Sequence, residues 1–245
     1  MSLAPDLAAD ARVLWRLLRG QPKQGSHAER LQAFYAPQAE RYDAFRARLL
    51  HGREEMLEQL AIPPAARIVE LGCGTGSSLE ILGERMQKIA HFDQIDLCPA
   101  LLTMARRRAA GLPQVHVHEA DATYWQPELP ADCVFISYAL TMIPDWRAVI
   151  ANACEMLVPG GRIGVVDFHL PEDGNRLANA LWQKWFAHDG VHLSADHLTL
   201  LRQTFPHHQF ARQRAAVPYL PGLLAPYYWF VGTRPDLPLQ TDGMR

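Results

Sequence analysis

The sequence predicts an α/β protein with a doubly wound, mostly parallel sheet and a helical extension before it. From Arg67 onward, apolar runs of strand length alternate with helical patterns. Such alternation is typical of a parallel sheet with helices on both faces. A glycine-rich turn follows the first of these strands, and the last two strands have no helix between them.

The predicted N-terminal extension covers residues 1–65, shows no strand pattern and holds two helical regions. In the first region, apolar residues recur at helical spacing, namely Leu3, Leu7, Ala11, Leu14 and Leu18. Glycine and proline residues end it between positions 20 and 25. The second region covers about residues 27–60, with a break near Pro37.

The main domain is predicted to span residues 66–235, followed by a tail at 236–245. Strands are predicted at 66–71, 90–97, 115–120, 132–137 and 162–168, and at about 208–217 and 226–233. Helices are predicted at 75–87 and 99–110, and at about 145–158, 174–187 and 194–204.

Composition and charge exclude several classes of protein. With 49% hydrophobic and 20% charged residues, the chain is expected to be globular with a sizeable core. A net charge of −2 argues against nucleic acid as a partner of the whole chain. The four cysteines form no C-x-x-C pair, and no basic and then apolar leader begins the chain. We therefore expect a reduced, cytoplasmic protein.

The segment 68–76 carries the strongest functional signal. An apolar run containing Glu70 leads into glycines at 72, 74 and 76, which predicts a buried strand, a tight turn and a helix start. The G-x-G-x-G spacing differs from the G-x-G-x-x-G of dinucleotide sites, and no P-loop lysine follows. Because Glu70 would repel pyrophosphate and attract a cation, we expect a nucleoside that carries positive charge.

A second acid ends the next predicted strand. Asp96 lies twenty residues after Gly76, at a place where a carboxylate can accept both ribose hydroxyls. The alternative is that Asp96 caps the helix that Pro99 opens. Both interpretations stay open at this point.

Five segments in order resemble the motifs of class I methyltransferases that use S-adenosylmethionine. Segment 68–76 resembles the first motif, and the others are 94–97, 119–122, 136–142 and the L-x-P-G-G turn at 157–161. The resemblance implies S-adenosylmethionine as cofactor and S-adenosylhomocysteine as product. It also implies a Rossmann-like, seven-stranded sheet in the order 3-2-1-4-5-7-6, with an antiparallel last strand.

The resemblance further implies which residues hold the cofactor. It assigns the ribose to Asp96, the adenine to Asp121 and the backbone at Ala122, and the donor methyl to residues from Ser137 onward. The cofactor-binding residues predicted in this way are Tyr35, Arg53, Glu70, Gly72, Cys73, Gly74, Gly76, Asp96, Leu97, Asp121, Ala122 and Ser137. The alternatives are that Asp121 is a solvated loop acid and that 137–142 is an ordinary apolar helix start.

The segments outside these motifs resemble a narrower group, the N-methyltransferase component of betaine-lipid synthesis. They are the Tyr-Asp-x-Phe-Arg pattern at 42–46, the Leu-x-Gly-Arg pattern at 50–53, and residues 137–144 and 225–232. That resemblance implies methylation of the amino group of diacylglyceryl-homoserine to the trimethyl betaine lipid. The alternatives are a quinone ring or phosphatidylethanolamine as acceptor, and a cofactor-binding scaffold without catalysis.

Charge in the N-terminal region is compatible with a lipid acceptor. Residues 11–53 contain nine basic and three acidic side chains, and Arg12, Arg16, Arg19 and Lys23 form one stripe beside an apolar face. Such a helix can lie at the inner face of a membrane, and the alternative is a helix packed on the domain with solvated arginines. The oligomeric state has no signal in the sequence.

Methyl transfer to an amine needs a group that takes a proton, because only the free lone pair is nucleophilic. The predicted catalytic residues are Tyr42, Tyr138 and His169, with Asp167 as a further candidate. The alternatives are that the tyrosines steer the substrate and that His169 is a surface histidine. No metal site is predicted, because His188, His192 and His197 match no familiar ligand spacing.

Overall fold

Seven strands form one mixed sheet in the computed structural model, which describes residues 25–36, 48–170, 193–217 and 222–236. The strands are β1 (Ala66–Leu71), β2 (Ile89–Asp96), β3 (Val115–Glu119), β4 (Ala131–Ser137), β5 (Leu157–Phe168), β6 (His207–Ala216) and β7 (Leu224–Thr233). The helices are α1 (His27–Tyr35), α2 (Arg53–Leu60), α3 (Ser78–Leu82), α4 (Pro99–Ala109), α5 (Trp146–Met156) and α6 (Asp196–Thr204). Two 3₁₀ turns cover Gly83–Lys88 and Leu140–Met142.

The strand order is β3-β2-β1-β4-β5-β7-β6. The pairs β1–β2, β2–β3, β1–β4 and β4–β5 are parallel, whereas β7 is antiparallel to both β5 and β6. The predicted fold class is therefore confirmed, including the antiparallel last strand.

The central strands are apolar along most of their length because both faces of the sheet are covered. One hydrophobic cluster packs α2 against residues such as Phe92, Phe135 and Trp229. The other packs α5 and α6 against residues such as Ile136 and Phe230. The edge strand β6 instead alternates between exposed and partly buried residues.

Helix α2 belongs to the predicted N-terminal extension, yet it packs directly on the sheet. Met56 and Leu60 are fully buried, and a Cβ at Gly164 of β5 would lie 2.5 Å from the Met56 sulfur. The close approach of α2 to β5 thus requires glycine at this position. The boundary at residue 65 stays a prediction.

Several element ends differ from the prediction. The helix predicted over 75–87 is divided into α3 and a 3₁₀ turn, which begins at Gly83 with a φ of +51°. Strand β5 begins at Leu157, because the predicted turn at 159–161 is part of the ladder. The predicted helix with the basic stripe and the one at 174–187 lie outside the described residues. No helix within the described ranges is long and apolar enough to cross a bilayer.

Candidate active site

Two cavities lie where β1, β2 and β4 end, and both are lined by Gly72. The larger has a volume of about 290 Å³ and is mostly apolar, with Asp96 and Asp121 among its lining residues. The smaller has a volume of about 110 Å³, and Glu70 and Arg53 line it. Carboxyl ends of parallel strands are where ligands of this type of sheet bind.

The glycine turn brings the chain close to the residues that follow β4. Gly72, Gly74 and Gly76 all have positive φ, at +74°, +56° and +73°. A Cβ at Gly72 would lie 2.3 Å from the Ala139 Cβ. Glycine is therefore required at this position both by the backbone conformation and by the packing.

Asp96 holds the turn and borders the larger cavity. Its Oδ2 accepts a hydrogen bond from the Gly74 N–H at 2.8 Å, and its Oδ1 accepts one from the Cys98 N–H at 2.8 Å. Cys98, not Asp96, is the N-cap residue of α4. The structure thus places Asp96 between the glycine turn and the start of α4, at the wall of the cavity.

Further predicted cofactor residues line the larger cavity from three parts of the chain. Asp121, whose Oδ1 accepts hydrogen bonds from Thr123 N–H and Oγ1–H, lies there beside Ala122. Leu97 and Tyr35 also line it. Helix α1 is held at this place because the Ala100 N–H donates to Gln32 Oε1 at 3.0 Å.

Glu70 is a buried acid at the smaller cavity. It is 1% exposed, and its Oε2 accepts hydrogen bonds from Ser78 Oγ–H at 2.5 Å and Gln94 Nε2–H at 2.8 Å. Burial raises its pKa to about 7, although these bonds and the nearby Arg53 act in the opposite direction. A carboxylate kept in this setting is available to a cationic ligand group.

Two further predicted cofactor residues belong to the smaller cavity. Arg53 donates from both terminal nitrogens to Ser77 Oγ at 3.1 Å. Cys73 lines the cavity, and burial raises its thiol pKa well above the usual value, so the thiol stays protonated.

Ser137 is the last residue of β4, and Tyr138 follows it at the edge of the crevice. The Ser137 Oγ is buried at the smaller cavity and has no hydrogen-bond partner in the described part of the chain. Tyr138 lines the larger cavity with a φ of +54°, an unfavourable conformation for a residue with a side chain. Its hydroxyl donates to the His51 carbonyl at 2.7 Å.

His169 follows β5 and is 2% exposed, so it is not the surface histidine of the alternative interpretation. Its ring lies edge-on to Tyr228, with 6.1 Å between the centroids. It lines neither of the two cavities. Tyr42, His188 and His192 lie outside the described residues, whereas His197 is buried against Trp146.

The sequence analysis missed the groups that hold Glu70 in place. Gln94 is the β2 partner of Glu70 in the β1–β2 ladder, and Ser78 is in the first turn of α3. Alignment of the two predicted strands would have placed Gln94 beside Glu70. Gln32, by contrast, bonds to a residue 68 positions away, and no local pattern indicates that contact.

The donors and acceptors present fit S-adenosylmethionine. The larger cavity offers carboxylates at Asp96 and Asp121 for a nucleoside. The smaller one offers Glu70 for an ammonium, Arg53 for a carboxylate, and the unsatisfied Ser137 hydroxyl. Gly72 lines both cavities, so the two ends of such a molecule would lie on either side of this residue.

Comparisons with known proteins agree with this assignment. Residues 68–161 match the family model described as a methyltransferase domain. Trans-aconitate 2-methyltransferase of Methylobacterium nodulans is 34% identical over 124 residues, which cover 50% of this chain and 46% of the relative. A 2-phytyl-1,4-naphtoquinone methyltransferase of Thermosynechococcus vestitus is 28% identical, covering 72% of this chain and 84% of the relative. The chain spans about half the length of the trans-aconitate relatives it matches.

Solved structures share the fold at low identity. The N-methyltransferase NodS of Bradyrhizobium japonicum, in complex with S-adenosylhomocysteine, has a TM-score of 0.64 at 16% identity, covering 84% of this chain and 98% of NodS. The [4+2]-cyclase SpnF has a TM-score of 0.62 at 15% identity, covering 88% of this chain and 98% of SpnF. Since a cyclase has this fold as well, the fold alone does not define the reaction.

Residues 68–161 are therefore similar to a methyltransferase domain, and the groups that line the two cavities fit S-adenosylmethionine. Neither curated relative is named for a betaine lipid. The comparisons thus support the class and give no support to the narrower resemblance.

Proposed function

We propose that this protein transfers a methyl group from S-adenosylmethionine to a small-molecule acceptor. The observation that carries the proposal is the pair of cavities that share Gly72, the larger mostly apolar and the smaller polar. Together they offer carboxylates for a ribose, an acid for an ammonium and an arginine for a carboxylate.

The proposed cofactor residues divide between the two cavities. Asp96 and Asp121 accept hydrogen bonds from the ribose and the adenine, with Leu97, Ala122 and Tyr35 against the rings. Glu70 attracts the ammonium and Arg53 pairs with the carboxylate, next to Ser137. The glycines at 72, 74 and 76 let the backbone approach, and Cys73 packs behind them.

Such a transfer is an in-line displacement, to which a protein contributes proximity, alignment and electrostatics. When bound, the cofactor supplies an electrophilic methyl group. Tyr138 and Ala139 form the wall beside Gly72, so they are proposed to orient the acceptor. We propose His169 as the proton acceptor for an amine substrate, because it follows β5 at the same edge of the sheet. Tyr42 is retained as a proposal from the sequence alone.

The nature of the acceptor decides whether a base is needed at all. An ammonium must lose a proton before it attacks, whereas a carboxylate is already ionised at neutral pH. The names of the curated relatives, trans-aconitate and phytylnaphthoquinone methyltransferases, favour a small acid or a quinone ring over a lipid amine. The finer proposal, the amino group of diacylglyceryl-homoserine, is supported only by residues 42–46, 50–53, 137–144 and 225–232.

One assay separates these acceptors. The purified full chain is incubated with methyl-labelled S-adenosylmethionine and trans-aconitate, a phytylnaphthoquinone, or liposomes that carry diacylglyceryl-homoserine or phosphatidylethanolamine. We expect label in one of the first two, identified by mass spectrometry, and none with Asp96→Ala. Label only in a trimethylated homoserine lipid would establish the betaine-lipid alternative. Cofactor binding without transfer to any acceptor would support a non-catalytic scaffold.

A further inference from the structure

A fully buried carboxylate lies beside the crevice without touching either cavity. Asp167, the penultimate residue of β5, has no solvent exposure. Its Oδ1 accepts hydrogen bonds from the Thr141 hydroxyl at 2.7 Å and from the Phe168 N–H at 2.8 Å. Its Oδ2 accepts one from the Thr141 N–H at 3.0 Å. A buried charge is costly unless it is satisfied in this way.

The donors to Asp167 belong mainly to one short turn. Thr141 is the middle residue of the 3₁₀ turn Leu140–Met142 and is 2% exposed. The residues on either side of it, Tyr138, Ala139, Met142 and Ile143, line the larger cavity. Whatever fixes Thr141 therefore fixes this wall of the crevice.

The wall has little freedom to move toward the glycine turn. Ala139 lies so close to Gly72 that a Cβ on the glycine would overlap it. Tyr138 is held in a left-handed conformation, which persists only when surrounding contacts enforce it. The Asp167–Thr141 bonds supply such contacts from β5.

Asp167 is expected to be ionised at neutral pH. Burial raises its pKa to about 6, while the bonds from Thr141, Phe168 and Leu140 lower it. Tyr228 faces it from β7, its register partner, and the phenol pKa is raised well above its usual value by burial and by this carboxylate. The next residue on the same face of β5 is His169, whose ring contacts Tyr228.

We propose that Asp167 is a positioning residue: through Thr141 it sets the place of the turn Leu140–Met142, and hence the contact between Ala139 and Gly72. The proposal rests on the proposed function, because Gly72 lines both cavities in which the cofactor is proposed to bind. It differs from the role of proton acceptor, for which Asp167 would have to reach a substrate.

The test uses two variants and a matched control. Asp167→Asn presents an N–H₂ group to an N–H or hydroxyl donor, so at least one bond is lost. Thr141→Val keeps the shape of the side chain but removes the hydroxyl bond, whereas Thr141→Ser keeps it. Binding of S-adenosylhomocysteine is measured by calorimetry, and amide exchange is measured on a peptide that covers residues 138–144.

We expect Asp167→Asn to weaken S-adenosylhomocysteine binding about tenfold and Thr141→Val about fivefold, since bonds to a charged group are stronger than neutral ones. Thr141→Ser should stay within about twofold. Exchange in the 138–144 peptide should accelerate in the first two variants only.

Unchanged exchange in Asp167→Asn and Thr141→Val would overturn the proposal whether or not the wild-type chain binds the product. A loss of thermal stability with unchanged binding and exchange would show a merely structural role and would also overturn it. Failure of the wild-type chain to bind S-adenosylhomocysteine would contradict the proposed function instead, and the exchange measurement would still decide on Asp167.

Discussion

The two sides of the crevice are built in different ways. On the side of β1, β2 and β3, the residues that line the cavities lie at the strand ends or within two residues of them, as Gly72, Asp96 and Asp121 do. On the side of β4, β5 and β7, the contacts join distant segments, such as Tyr138 and the His51 carbonyl, 87 positions apart. A ligand site made by turns can be read from local sequence, whereas one made by long-range side-chain contacts cannot.

The largest effect is expected at Gly72, where the two sides meet. Gly72→Ala adds the strain of positive φ, about 1 kcal/mol, and an overlap with Ala139 that costs about 1–3 kcal/mol more. We expect binding of S-adenosylmethionine to weaken at least about 30-fold by calorimetry. Gly111→Ala is the matched control, because Gly111 has a φ of +86° but open space around it. Equal losses in both variants would mean that strain alone, not the contact between the two sides, is important.

Glu70 lies on the side of β1, β2 and β3, and its variant tests whether the buried carboxylate lowers the stability of the folded chain. Its pKa is raised from 4.5 to about 7 in the folded chain. The stability that Glu70 contributes is therefore complete below about pH 4.5 and is lost as the pH rises through about 7. Glu70→Gln, which can still accept both hydrogen bonds, should match the wild-type chain near pH 4.5 and exceed its unfolding free energy by about 3 kcal/mol at pH 8.

Urea unfolding at several pH values measures this difference, with Glu58→Gln on the exposed side of α2 as control. S-adenosylmethionine should bind Glu70→Gln more weakly at pH 8. A pH dependence identical to that of the wild-type chain would show that Glu70 does not titrate in this range.

Asp96 also lies on the side of β1, β2 and β3, and its variant tests whether this carboxylate binds the cofactor. Asp96→Asn places an N–H₂ group against the N–H of Gly74 or Cys98, and removes a charged acceptor for the ribose. We expect a loss of about 2 kcal/mol in cofactor binding, or about 30-fold. The matched control is Asp132→Asn, because Asp132 also accepts a backbone N–H, that of Arg67, but at the other end of the sheet. The assignment of the ribose would be wrong if the two variants bound the cofactor equally well.

Arg53 is the first residue of α2 and lines the smaller cavity, where it donates to Ser77. Arg53→Ala should weaken S-adenosylmethionine binding about tenfold, because a charged hydrogen bond to the carboxylate is lost. The control is Arg147→Ala, whose exposed pair with Asp196 should contribute little. If the acceptor's KM rises while cofactor binding is unchanged, Arg53 binds the acceptor instead. No change in either constant would remove Arg53 from the site.

The smallest effect is expected at Tyr138. Tyr138→Phe removes the bond to the His51 carbonyl and should lower the unfolding free energy by about 1 kcal/mol, with cofactor binding within about twofold. Tyr227→Phe, which loses the bond to Gln213, is the matched control. A fall in kcat of about 100-fold with unchanged KM and stability would instead assign Tyr138 a catalytic part.

The glycine turn was predictable because its residues are neighbours in the chain, whereas the strand order was expected from the resemblance to class I methyltransferases. The apolar runs of β1 and β4 reflect burial on both faces of the sheet, and two adjacent final strands indicate the antiparallel ending. Helix ends were less predictable: α3 stops at Leu82 because Gly83 adopts positive φ, although the apolar pattern continues. The burial of His169 also has no local signal, because β7 supplies the ring of Tyr228 that packs on it.

The sequence by itself predicted the fold class, and it indicated most of the residues that line the crevice beside β1, β2 and β3. The glycine turn and the acids at the strand ends lie within a few residues of each strand. Their pattern can therefore be recognised in the sequence without knowledge of the fold. Only the tertiary structure decided that Asp167 holds Thr141 and that Tyr138 holds His51. Those contacts depend on how β4, β5 and the segment before α2 pack together. Packing brings together residues that are far apart in the chain, and their separation in the sequence does not indicate their distance in space.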